Sequence, residues 1–241
     1  MLTITNLRVR SFDVDYLDLY WEAGSGDPMD YQFQVLRSET DVGPFEPVTG
    51  LFTDRYHFRD NTAQSLSRFR PLYYRIRVTS KVDPSLSAEY PSTGGASLSA
   101  RPDLAALEIA RQLRLVNQEY RGRSVIVLPR RTFGQRCTAC TDPISQSRIR
   151  SGCVTCFDTG FVGGYHSPVR TSMYIEALQK PTMMKTDSAS FVVEAVRGTM
   201  SNYPEVREGY LVIEAENRRW RVENPVDTAE LLRATYAQYL T

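Results

Sequence analysis

Histidine and cysteine are the scarce residues of this 241-residue chain, two of the first and four of the second. His57 and His166 leave little material for His-dependent catalysis. No apolar run approaches the roughly 18 to 20 residues that a membrane-spanning helix needs. Charge of one sign is lacking as well. The formal net charge is +1, with 24% charged and 41% hydrophobic residues, an ordinary globular composition with no overall electrostatic commitment to nucleic acid or membrane. The opening MLTITNLRVRSFD alternates like a strand and lacks the apolar core of a secretion signal, so the expectation is a chain that starts at Met1 and matures in a reducing cytoplasm. The motifs Gly-x-Ser-x-Gly and His-Glu-x-x-His and the phosphate-cradling glycine loop are absent.

All four cysteines fall within one stretch, Phe133 to Phe161, as two Cys-x-x-Cys pairs, Cys137/Cys140 and Cys153/Cys156, twelve residues apart. A Cys-x-x-Cys turn aims two thiolates at one point, and two such turns joined by a hairpin make a tetrahedral four-sulfur site, the geometry of structural zinc. Gly160, just past the second pair, can take positive φ, letting nearby backbone amides face the sulfurs. Two disulfides would need an oxidising compartment, and a chain of this length needs no such staples. A thioredoxin-like pair comes singly and inside a βαβ pattern. An iron–sulfur cluster also uses four thiolates, but this loop is polar and arginine-rich. The reading is structural Zn²⁺ with four protein ligands, a closed coordination sphere and no catalytic position.

Around the cysteines the chain is basic. From Arg121 to Arg150 there are seven arginines and one acid, Asp142, a side-chain sum of +6. Arg130, Arg131, Arg136, Arg148 and Arg150 are candidate phosphate contacts. Pairing with acids, or offsetting the thiolate charge, is the competing use. Without aromatic residues interleaved among the arginines there is no support for base stacking or sequence-specific readout.

Fold class is mainly β. Residues 1–100 carry short alternating strands at about ten-residue spacing, clearest at Tyr16–Trp21, Tyr31–Leu36, Tyr56–Phe58 and Leu72–Val78, which predicts an antiparallel sandwich. The aromatic stripe is assigned to the core, and His57 to a surface strand position. Trp21 on an early strand and LYYRIRVT late in the segment resemble a fibronectin type III or immunoglobulin-like module. Residues 101–132 supply a helix and a connecting strand. Pro102 and Asp103 suit a first helical turn, and Ala106, Ile109, Ala110, Leu113, Val116 and Tyr120 share a face over roughly eighteen residues, with Leu104 and Leu107 widening it. That stripe has to be buried against a sheet or a neighbouring subunit. A short buried-type strand, Ser124–Leu128, follows. Residues 133–164 form the zinc ribbon, read as an insertion, and 165–241 a small β-barrel. Its expected strands are Met173–Leu178, Phe191–Val196 (with a turn near Arg197-Gly198) and a hairpin from Tyr210–Ala215 to Arg218–Val222, with an extended end through Leu231 and Leu232. Met183–Ser188 reads as an exposed loop. The carboxylate pairs Glu205/Glu208 and Glu214/Glu216 read as solvated charge, which disfavours an enzyme such as a glycan hydrolase.

The stretch LPRRTFGQRCTACTDPISQSRIRSGCVTCFDTGFVGGYHSPV, with the later GYLVIEAENRRWRVENPV, resembles segments of tailed-bacteriophage virion structural proteins. The ending is also similar to small β-barrel connector proteins of the phage neck. The resemblance implies a non-enzymatic component of a head–tail connector ring, a homo-oligomer in the virion assembled in the host cytoplasm. It implies contacts with portal, adaptor or tail proteins, non-specific contact with DNA at most, and no membrane. The alternative is a zinc-ribbon nucleic-acid adaptor using the arginine-rich face.

Overall fold

The computed structural model describes residues 2–24, 27–63, 71–98, 103–142, 144–145, 147–177, 182–186, 189–193, 196–224, 226–231 and 234–240. The expectations placed on Pro102, Leu178, Asp187, Ser188 and Leu232 lie outside them. The chain is mainly β and divides into two compact units, residues 1–102 with 131–164, and 103–130 with 165–241. The cysteine ribbon therefore folds with the N-terminal strands.

In the first unit, β1 (Ile4–Asp13), β2 (Tyr16–Ala23) and β5 (His57–Asp60) form one antiparallel sheet in the order β1-β2-β5. β3 (Tyr31–Ser38), β4 (Glu46–Pro47), β6 (Tyr73–Ser80) and β7 (Ser87–Tyr90) form the other, β4-β3-β6-β7. Period-two alternation builds the core between them. Leu17, Leu19 and Trp21 of β2 are buried with Phe33 and Val35 of β3 and Tyr74, Ile76 and Val78 of β6. Two carboxylates are buried with them. Asp60 receives Arg37 Nη1 at 2.8 Å, Tyr74 Oη at 2.9 Å and the Thr62 hydroxyl at 2.7 Å, and so ties β5 to the two central strands, β3 and β6, of the opposite sheet. Asp18 accepts Arg59 Nε at 2.9 Å and Nη2 at 2.8 Å, with His57 Nε2 at 3.0 Å. His57 is thus a half-buried strand residue engaged with a carboxylate, and it stacks on Tyr20.

The second unit begins with α1 (Leu104–Val116), capped by Asp103, whose carboxylate accepts from the amides of Ala105 and Ala106. A wide π turn, Asn117–Arg121, prolongs it to about the expected length. Then come β8 (Arg123–Leu128), β9 (Val169–Ala177), β10 (Thr182–Thr186), β11 (Ala189–Val193), β12 (Val196–Ser201), β13 (Leu211–Glu214), β14 (Arg219–Arg221), β15 (Asp227–Leu231) and β16 (Ala234–Leu240). Seven strands pair antiparallel in the order β14-β13-β8-β9-β12-β16-β15. Laid flat, such a sheet holds its edge strands about 29 Å apart. The six residue steps from Arg221 to Asp227 reach at most about 21 Å. The sheet must curl, and the expected barrel is realised as a half-barrel. Val125, Val127, Met173, Met200, Val212, Val222 and Leu240 fill its core. Buried Gln238 closes it by accepting from the Val206 amide at 2.8 Å and donating to the carbonyls of Ser201 and Pro204 at 2.9 and 2.8 Å.

Four expectations are corrected. The buried helix face comprises Ala106, Leu107, Ala110 and Asn117, while Leu104, Ile109, Val116 and Tyr120 are exposed. The reason is close approach. The two alanines let the helix settle on β12 and β16, and Asn117 Nδ2 then reaches the Thr199 carbonyl at 3.2 Å. This makes the helix an intramolecular cover for the sheet. Thr182–Thr186, expected within a loop, forms a strand paired with β11, because regular ladder bonds satisfy its backbone. The turn expected at Arg197-Gly198 falls inside β12, which pairs on both sides, whereas the strand expected through Val196 ends at Val193; Glu194 and Ala195 lie outside the described residues. A side chain at Gly198 would meet Met173 Sδ at 2.6 Å, so this glycine serves close packing and not a turn. Finally, Glu214 is buried, not solvated. It accepts from the Trp220 indole N–H and from Arg123 Nη1 at 2.8 Å.

Burial would raise the pKa of Asp60, but the hydrogen bonds from Thr62, Arg37 and Tyr74 outweigh it and hold the carboxyl below its usual range. A depressed carboxylate pKa stabilises the fold above the unfolded value, near 4, and that stability is lost as pH falls through the folded pKa. Asp60→Asn should therefore cost about 2 kcal/mol at pH 7, read as a lower urea midpoint, and the gap from the parent should narrow steadily below about pH 4.

Candidate metal centre

A short ladder forms the base of the ribbon. Arg131 N donates to Gly164 O at 3.0 Å, Val162 N to Gln135 O at 2.9 Å, and Cys137 N to Gly160 O at 2.9 Å. The first knuckle then turns from Cys137 to Cys140. Beyond it, Ile149 N reaches Cys140 O and Asp142 N reaches Ser147 O, both at 2.9 Å, closing a small hairpin. The Asp142 carboxylate caps the hairpin turn through Ile144 N and the Ser145 hydroxyl.

The second knuckle is fixed by Asp158. Its carboxylate oxygens accept from the amides of Gly152 and Cys153, each at 3.1 Å. To reach back that far, Phe157 and Asp158 adopt φ of +48° and +62°, and Gly160 follows at +84°. Gly164 has no room for a side chain, since a Cβ would stand 2.7 Å from the Cys156 carbonyl oxygen at φ +68°.

These turns bring all four sulfurs within 4.8 Å of one another, and all four cysteines are buried. Across the knuckles, Cys137 and Cys153 Sγ lie 3.7 Å apart, and Cys140 and Cys156 Sγ 3.2 Å. Disulfides would require about 2.05 Å, and the thiols are free. Sulfurs bound tetrahedrally at about 2.3 Å are separated by about 3.8 Å, so the cluster is close to the size a thiolate-bound metal needs. Hydrogen bonds from the backbone amides of Cys156 and Thr155 pull the Cys153 thiol down to about 6. The bond shared with the Cys156 sulfur, with burial behind it, pushes Cys140 up to about 12. Four convergent, buried thiols form a site that can hold a metal ion. With every ligand supplied by the protein, the set leaves no position for substrate.

Two contacts fasten this centre to the sandwich. Arg131 makes a two-pronged ion pair with Asp54 at 2.8 and 2.7 Å, and its guanidinium is only 13% exposed. Phe133 meets Tyr56 edge-on, with ring centroids 4.7 Å apart, and packs on the sandwich core. The five arginines expected to touch phosphate are therefore differently placed. Arg131 is committed to Asp54, and Arg130 belongs to the second unit and lies against Gly209. Arg136 sits 4.7 Å over the Phe161 ring, Arg148 donates to the Asp158 carbonyl at 2.9 Å, and Arg150 is exposed. Only Arg136, Arg148 and Arg150 share the ribbon surface.

Asp158 and Asp54 escaped sequence reasoning. The first carries a signal, an aspartate two residues past a knuckle and two before a glycine. The second, 77 residues from its partner, carries none.

Asp158→Ala should lower metal affinity about ten- to a hundredfold, measured by competition with a chromophoric chelator, because the Cys153 turn loses its support. Asp54→Ala should leave the affinity within about threefold and instead lower the melting temperature of the first unit, since it leaves a mostly buried guanidinium unpaired.

No family model, curated protein or solved structure matches the chain, so the functional reading rests on this geometry together with the residue patterns above.

Proposed function

We propose that this chain is a non-enzymatic structural protein of a tailed-phage virion, a subunit of the ring at the neck or head–tail junction, with Zn²⁺ in the Cys137/Cys140/Cys153/Cys156 site. The observation that carries the reading is the closed four-thiol centre in the ribbon whose sequence bears the virion-protein resemblance. Zinc suits four thiolates in tetrahedral array and brings no redox demand. The three-plus-four strand arrangement of the N-terminal sheets suits a fibronectin- or immunoglobulin-like decoration module. The GYLVIEAENRRWRV segment, which carries the connector resemblance, forms the β13–β14 hairpin of the half-barrel. Glu214 is engaged by Trp220 and Arg123, which supports a structural use of this carboxylate. Portal, adaptor or tail proteins are the neighbours this role requires, and assembly in the host cytoplasm would keep the thiols reduced.

A nucleic-acid adaptor is the second reading, favoured by the exposed guanidinium of Arg150 beside those of Arg136 and Arg148.

Native mass and elemental analysis on one sample test the proposal. About one zinc per chain in a ring of several copies is expected, and Cys137→Ser or Cys153→Ser should lose metal and ring together. A zinc-bound monomer whose affinity for any duplex falls steeply with salt would replace the ring with the adaptor. Metal-free protein with an intact fold would remove the zinc centre from the account.

A further inference from the structure

Most small domains keep apolar residues inside, and the ribbon does the opposite. Its interior cluster consists of the four cysteines alone. Ile144 is 91% exposed, Val154 83%, Ile149 68% and Phe157 59%. Four large apolar side chains exposed on so short a segment are the kind of surface that marks a docking site. Exposed Arg148 and Arg150 flank Ile149 in the chain, with Arg136 also exposed on the ribbon. Phosphate does not explain this surface. A nucleic-acid backbone gives no return for exposed isoleucine and valine, and Asp142 and Asp158 stand among the arginines.

The chain carries a surface of matching character at the edge of the half-barrel. Among the described residues β15 pairs with β16 alone, so one side of its backbone is open. Asp227, Thr228, Glu230 and Leu231 on β15 are exposed, and Tyr239, opposite Asp227 in the register, is 40% exposed. Among the described residues, the hydroxyls of Thr228 and Thr235 reach the Glu230 carboxylate, each at 3.4 Å. Asp227 and Glu230 stand here near Leu231 and Tyr239, acid with apolar, as arginine stands with apolar groups on the ribbon.

We propose that the Arg148–Ile149–Arg150 face of the ribbon docks on the β15 edge of a second copy of this chain. The pairing joins two different surfaces, so each subunit offers both halves of the contact, and successive copies close into a ring or extend as a filament. It rests on the homo-oligomer of the proposed function and assigns that oligomer its contact. The apolar centre supplies the area, and the charges fix register and partner choice.

Sedimentation velocity of the full-length, zinc-loaded protein over a concentration series tests it, with four variants whose zinc content and melting temperature match the parent. Arg148→Glu with Arg150→Glu should weaken self-association about tenfold or more, and Asp227→Lys with Glu230→Lys should do the same. Combining all four changes should return association to within about threefold of the parent, since the charges are exchanged and not lost. Ile149→Ser with Val154→Ser should weaken it without any change in charge, which covers the case of a reversal variant that does not fold. Assembly indifferent to every variant, or single reversals that the combination does not rescue, would overturn this contact and leave the ring standing. A parent that stays monomeric at all concentrations would overturn the contact and the ring together. Unchanged assembly with lost affinity for a random-sequence duplex would assign the arginines to phosphate instead.

Discussion

Convergence of four sulfurs is the constraint on which the ribbon depends. A segment of this length cannot bury enough apolar surface to offset the entropy of ordering its backbone. Here the interior cluster is the four cysteines, and Ile144, Ile149, Val154 and Phe157 face out. The ladder at the base, the Asp158 clasp and the positive-φ turn after Cys156 all serve to hold the thiols at one point. Thiolates this close repel one another unless a cation offsets their charge, so a metal ion bound here would brace the turns that hold it.

A second theme runs through both units. Asp18, Asp60 and Glu214 are buried carboxylates, each bound by an arginine, and Asp54 holds Arg131 in the same manner. Removing one partner of such a pair is costly because the other is left desolvated, so these contacts act as fixed points between strands distant in sequence. They also change how the local charge is understood. The formal +6 between Arg121 and Arg150 includes Arg123 and Arg131, both committed to acids outside that stretch. The positive charge left to the ribbon surface is correspondingly smaller.

Much of this was legible in the sequence, wherever one residue type has one dominant physical use. Paired cysteines at short spacing converge, and alternating strands such as Tyr73–Ser80 bury every second residue. Legibility failed where a choice depends on a neighbour's shape. The apolar stripe through Ile109, Val116 and Tyr120 is sound periodicity, yet the small faces of Ala106 and Ala110 fit the sheet more closely and Asn117 finds a carbonyl there. Glu214 looks like a solvated charge in an alternating strand until Trp220 and Arg123 are placed around it. Asp54 gives no local sign of its partner at all. Gly198 looks like a turn residue, and only the position of Met173 shows that it makes room for packing.

The chain passes between the two units three times, at 102–103, 130–131 and 164–165. No single cut therefore separates them. A fragment ending near residue 100 would keep every strand of the sandwich but lose Phe133 from Tyr56 and Arg131 from Asp54, leaving an aromatic ring and a carboxylate facing water. The complementary fragment would keep the cysteines but lose the surface they are anchored to. The ribbon's covalent neighbours and its folding partners are different parts of the molecule, so the natural unit of inheritance, and of expression, is the whole chain.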